Sequence, residues 1–187
     1  MVVVKTESPV EPFTLTDAKE HLRIDYDDDD NLVTGMIKPA REYCENWTGR
    51  AFIEKTLEYS LMSFPFERSF RLPYQPVTAI SSMKYTDSDG VEHSMSEGSD
   101  YLTDTDGGQV VLPYGGSWPS ATLYPVRPIK VAYSVGGSVP ETVKQAIYLL
   151  LGHWYENREA VMVGTITKEI EFSVHSLLSQ HRDRWWD

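Results

Sequence analysis

The chain has 187 residues, 41% of them hydrophobic and 24% charged, an ordinary globular composition with room for one sizeable core or a core plus a small subdomain. Its formal net charge of −11 takes away the counterion-release gain that drives nonspecific DNA binding, so a DNA-gripping role is not expected. The single cysteine, Cys44, excludes an intramolecular disulfide and fits a reducing compartment, and no window approaches the ~18 consecutive apolar residues that a spanning helix needs.

The first residues, MVVVKTESPVEP, hold a short apolar run with no basic region before it, which does not fit a signal peptide. TLTDAKEHLRID then predicts a short helix near 16–23. Thr14 or Thr16 can cap it, Asp17 or Glu20 suits its positive end, and Leu15, Ala18, His21 and Leu22 share a face. A long amphipathic helix is predicted over 28–48, because Val33, Met36, Ile37, Ala40, Tyr43, Cys44 and Trp47 follow three-four spacing. Aspartates 28–30 sit at its start as a solvated capping turn, and Gly49 is a natural stop. Pro39 falls inside and predicts a kink or a split near Lys38.

Residues 51–135 change texture. FIEKTLEYSLMSF alternates in part, as a strand does. SFRLPYQPVTAISSMKYTDSDGVEHSM holds a strand, a proline-marked turn, a second strand and a hairpin turn at SDG. SDYLTDTDGGQVVLP predicts a hairpin turning at Asp106-Gly107-Gly108, YGGSWPSATLYP a loop, and RPIKVAYSVGG a last strand with Ile129, Val131 and Tyr133 alternating against Lys130 and Ala132. Together these make a small antiparallel sheet inserted between helices. Ser138 as cap and Pro140 at the first helical position predict a helix over 140–158. Its stripe is Val143, Ala146, Ile147, Leu150, Leu151 and Trp154. SVHSLLSQHRDRWWD makes a short final helix. The expected class is α+β: residues 1–50 and 136–187 form a helical core, with 51–135 as a β-rich insertion.

The motifs of chemistry are missing. Histidines 21, 93, 153, 175 and 181 make no HExxH pair, and one cysteine makes no zinc knuckle. DTDGG at 104–108 resembles the start of a calcium loop without its later ligands, and reads as a hairpin turn. No phosphate-binding GxxxxGK[ST], dinucleotide GxGxxG or GxSxG elbow is present. No catalytic, cofactor or metal set is therefore expected.

One stretch stands apart: AIYLLLGHWYENREAV, where a core helix ends in His153, Tyr155, Glu156, Arg158 and Glu159. Successive helical residues fan out by about 100°, so these groups cannot converge on one pocket. The open readings are a packed helix terminus, a protein interface, for which Tyr and Arg are suited, and an acid–base site. The tandem Trp185 and Trp186 join Tyr155 and Arg158 as candidate interface residues, since exposed tryptophans commonly anchor contacts.

In order along nearly the whole chain, TLTDAKEHLRID, AREYCENWTGRAFI, FRLPYQPVTAISSMKY with its DSDG turn, IKVAYSVGG and VPETVKQAIYLLLGHWYENREAV resemble the head–tail connector (adaptor) proteins of tailed bacteriophages and prophages. The resemblance is to the longer members, which carry a β-rich insertion. It implies a structural homo-oligomeric ring below the portal protein, extending the DNA channel and docking the next neck or tail protein. Duplex DNA would pass without specific binding, and no membrane would be involved. It also implies residence in the virion neck, with the bacterial host cytoplasm before assembly. Pro39 and the loose match of FSVHSLLSQHRDRWWD to the family's LL…R ending depart from the pattern. Outside that resemblance stand a monomeric interaction module of the neck or tail and a small hydrolase using scattered Asp and His.

Overall fold

The computed structural model describes residues 1–157 and 168–183, and the fold is α+β. The chain divides into two compact units, one helical and one of β-strands.

The helical unit comprises Pro9–Ile53 and the described residues from Ser138 to Asp183. Its first helix, α1 (Leu15–Leu22), opens on a capping box. The Thr14 hydroxyl accepts from the Asp17 amide at 3.1 Å, and the Asp17 carboxylate accepts from the Thr14 amide at 2.8 Å. It closes at Arg23, which adopts a left-handed φ of 57° so that its amide reaches Glu20 O.

The second helix, α2 (Asp30–Thr48), runs unbroken through Pro39, so the expected split does not occur. The proline removes the bond to the Gly35 carbonyl, but Gly35 is exposed and water can serve that oxygen. Val33, Ile37, Ala40 and Cys44 meanwhile hold the buried face on both sides of the proline. Gly49 ends the helix with φ 69°, as expected.

The third helix, α3 (Glu141–Glu156), starts one residue later than predicted. Pro140 is its cap, not its first residue, because its ψ of 147° is extended while its carbonyl accepts from Val143 and Lys144. The fourth, α4 (Lys168–Leu178), begins before Ser173, where the final helix was expected to start, and a 3₁₀ turn at Ser179–His181 follows.

Ala18 of α1, the α2 face, the α3 stripe from Val143 to Trp154, and Val174 and Leu178 of α4 form one core with Phe13, Ile24 and Phe52. Each large side chain so buried contributes roughly 1.5–3 kcal/mol. Cys44 lies in that core with its thiol pushed up to about 12, by burial first and Glu45 second, which leaves it an inert small apolar group.

The other unit comprises Met1–Ser8 and Glu54–Gly137. Residues 2–7, which the sequence reading grouped with the helices, form strand β1 (Val2–Glu7) and pair antiparallel with β2 (Lys55–Leu61). A run of three valines suits a pleated surface, which the short apolar count had hidden. The remaining strands are β3 (Ser69–Arg71), β4 (Val77–Thr86), β5 (Glu92–Met95), β6 (Leu102–Asp104), β7 (Gln109–Val111) and β8 (Ile129–Val135).

They form two sheets where one was expected: a five-stranded sheet ordered β1-β2-β8-β4-β5 and a three-stranded sheet ordered β3-β7-β6, with every pairing antiparallel. The division falls at the Pro73–Pro76 turn. There the buried Gln75 amide donates to Leu72 O at 3.1 Å, and the Leu72 amide donates to Gly108 O at 2.8 Å. This binds the end of β3 to the β6–β7 hairpin instead of to β4. Gly108 has φ 62°, and a Cβ there would stand 1.8 Å from Gln75 Nε2, so no other residue fits. β8 shows the predicted alternation: Ile129, Val131 and Tyr133 are fully buried, opposite Leu61, Tyr59 and Leu57 of β2.

Candidate interaction surfaces

In the helical unit the end of α3 resolves as the helical fan requires. Trp154 enters the core, His153 is buried with Nδ1 3.1 Å from the Asn157 amide nitrogen, and Glu156 faces solvent. The Tyr155 hydroxyl donates to Asp29 Oδ2 at 2.6 Å. The Tyr26 hydroxyl lies 3.2 Å from the same oxygen and 2.8 Å from the Tyr155 hydroxyl. Tyr155 is thus positioned as a strut between the C-terminal end of α3 and the N-terminal end of α2. Arg158, Trp185 and Trp186 lie outside the described residues.

The aspartate run does more than cap. Asp29 is the cap residue of α2 by position but makes no side-chain capping bond. Asp27 and Asp30 each accept from Lys19 Nζ at 2.7 Å, joining α1 to the start of α2. The Lys19 hydrogen bond holds the Asp27 carboxyl below its usual range, and Asp27 and then Asp30 raise the lysine. His21, grouped with the apolar face of α1 by its spacing, is exposed and stacks on Tyr148 at 4.5 Å.

Two polar clusters escaped the sequence reading. Arg41 is fully buried: Nε and Nη2 reach the two oxygens of Glu11 at 2.7 and 3.0 Å, and Nη1 reaches Glu45 Oε2 at 2.5 Å. The other Glu45 oxygen accepts from the Phe52 amide at 2.8 Å, which anchors the chain as it leaves α2. The i,i+4 spacing of Arg41 and Glu45 was the available signal. At α4, His175 stacks on Trp47 at 4.7 Å while its Nε2 lies 3.0 Å from the Tyr43 hydroxyl, and Arg182 covers Trp47 at 5.5 Å.

In the β unit the predicted loop YGGSWPSATLYP is pinned. Arg68 donates to Pro113 O at 2.6 Å and Gly116 O at 3.3 Å, and the Trp118 indole donates to Glu67 O at 2.9 Å. Trp118 stacks on Phe64 at 5.5 Å, Phe64 meets Tyr85 edge-on at 5.9 Å, and Tyr85 stacks on His93 at 4.9 Å. His93 Nε2 lies 2.6 Å from Asp87 Oδ2, and this bond first, with the Val91 amide next, lowers the aspartate. The two loops so joined carry Phe66 and Tyr114, which are 109% and 106% exposed and therefore project from the surface.

Beside this chain of rings lies a cleft of about 430 Å³, with Tyr85, His93, Met95, Asp100, Trp118 and Pro119 in its walls. The DTDGG segment is a hairpin turn: Asp104 accepts from the Gly107 amide and the Gln109 side chain, each at 2.9 Å. Among the described residues no group of three or more His, Cys, Asp or Glu is placed to hold a metal, and no helix is long and apolar enough to cross a membrane.

The head completion protein family matches residues 11–181. A chain in the virion of a native gene transfer agent particle has a similar fold, with a TM-score of 0.73 at 19% identity, over 97% of this chain and 95% of that one. A chain from the neck of an empty gene transfer agent particle, computed with C6 symmetry, gives 0.70 at 20% identity, over 97% and 95%. One from the native neck, computed with C12 symmetry, gives 0.67 at 20%, over 96% and 94%. Comparison with curated proteins returns no match. Helical core, strand-rich second unit and a match running through both place the chain in the head completion protein family.

Proposed function

We propose that this chain is one subunit of a homo-oligomeric ring that sits below the portal protein, extends the DNA channel and docks the next neck or tail protein. The supporting observation is the full-length likeness to chains from particle necks computed with sixfold and twelvefold symmetry, within a family of head completion proteins. In this reading the helical unit supplies the ring-forming core, the β-rich segment is an insertion carrying a docking surface, and Tyr155, Arg158, Trp185 and Trp186 lie at subunit or partner contacts. DNA passes the acidic protein without being held. The protein's place is the virion neck, reached from the host cytoplasm.

Cryo-electron microscopy of necks containing this chain tests the reading, with native mass spectrometry of the protein alone and with portal. A closed ring of identical copies against the portal is the expected result. Single copies attached to a tail component would establish the monomeric interaction module instead.

A further inference from the structure

We propose that the cleft beside Trp118 in the β unit is a recognition site for an arginine side chain presented by a protein partner. Its volume of about 430 Å³ lies within the ~300–1,000 Å³ range of ligand pockets and leaves room for one long side chain. Its walls combine two things a guanidinium uses. Tyr85 and Trp118 supply aromatic surface: Tyr85 already stacks on His93 and Trp118 on Phe64, and a flat cation would stack on the part of each ring that lines the cleft. Asp100 supplies a carboxylate: Oδ2 accepts from the Ser96 amide at 2.7 Å, and Oδ1 has no bond among the described residues. Ser94, Ser117 and Ser120 add hydroxyl acceptors at the rim.

The surrounding charge favours a cation. The cleft lining contains neither Lys nor Arg, and His93, its one basic group, already faces Asp87 at 2.6 Å. Asp89 and Glu97 add negative charge on the adjoining hairpin and loop, while Glu92 is offset by Lys84 at 2.8 Å and by the nearby Lys130. The walls are also set in advance. Trp118 is held by Phe64 and Glu67, and Tyr85 by Phe64 and His93, so little ordering is left to binding. An ammonium satisfies the charge but cannot stack flat, which selects arginine over lysine.

The test uses the full chain, with ¹⁵N NMR of the Trp118 indole and of the Ser94 and Ser120 amides. The probes are N-acetyl-arginine methylamide, its lysine counterpart and its neutral isostere, citrulline. The expected result is a saturable shift at those three signals with the arginine probe, at least fivefold weaker with lysine and absent with citrulline. D100N should weaken the arginine probe at least fivefold while leaving the free Trp118 signal in place. No saturable shift, equal binding of citrulline, or equal binding of lysine would each overturn the assignment. The probe comparison needs no variant and stands even if D100N disturbs the loop. None of these outcomes depends on whether the protein forms a ring.

Discussion

The Tyr155 hydroxyl reaches Asp29 across 126 residues of chain, at 2.6 Å, and joins the end of α3 to the start of α2. A tyrosine within a polar-aromatic helix end is thereby a packing element with a specific acceptor. Tyr155→Phe is expected to cost about 1–2 kcal/mol, as for a partly exposed hydrogen bond to a charged group. At roughly 2–4 °C per kcal/mol for a chain of this size, the melting temperature should fall by several degrees. Tyr26→Phe should cost less, because its bond to Asp29 is longer, at 3.2 Å, and Tyr26 is 48% exposed. Equal melting of all three proteins would show that the Asp29 cluster carries no stability.

Arg41 is the costliest polar side chain to remove. Arg41→Ala leaves Glu45, which is 2% exposed, without its guanidinium, and such losses cost about 3–5 kcal/mol. Urea titration should show a much lower midpoint or no folded baseline. Glu11→Gln should be milder, since the Glu11 side chain keeps 23% exposure and water can replace part of the bond.

His181 makes stability depend on pH. Burial first, and Arg50 second, lower its pKa below the ordinary histidine value of 6.5. The unfolded chain therefore binds this proton more readily than the folded one, and stability is lost as pH falls from near 6.5 through the lowered value. Its Nε2 lies 2.6 Å from the Thr142 hydroxyl, so His181→Gln should keep a polar partner while flattening the decline between pH 7 and 5.5. A decline of unchanged size in the variant would assign it to other groups.

The isolated chain should bind duplex DNA weakly or undetectably at physiological salt, because a net charge of −11 leaves little counterion release. Fluorescence anisotropy with a labelled duplex measures this. Submicromolar, salt-sensitive binding would reveal a basic surface that overrides the overall charge.

Replacing both Trp185 and Trp186 with Ala should leave melting unchanged and block incorporation into necks. Truncating a tryptophan at the centre of an interface typically costs ~2 kcal/mol or more, roughly a thirtyfold loss of affinity. A double variant that melts far below the parent would assign the pair to the protein's own core.

Local pattern decided much of what was legible. The Thr14–Asp17 cap, the Gly49 stop, the α3 stripe and the Ile129–Val131–Tyr133 alternation are all set by residues within a few positions of one another, and the structure keeps each of them. The split expected at Pro39 does not occur because that rule is local, whereas the decisive facts are not. The orphaned Gly35 carbonyl is exposed, and the apolar face of α2 is held by other helices.

By itself the sequence determined that the protein is α+β and that three helices carry an apolar face. These follow from periodicity and residue chemistry, which a linear chain displays directly. The tertiary structure alone decided that β8 lies between β2 and β4, that residues 2–7 complete that sheet, and that Glu11 meets Arg41. It also decided that Trp118, Tyr85 and Asp100 line one cleft. Strand partners and buried charge pairs are chosen by which distant surfaces must exclude water together, and nothing in the spacing of neighbouring residues records that choice.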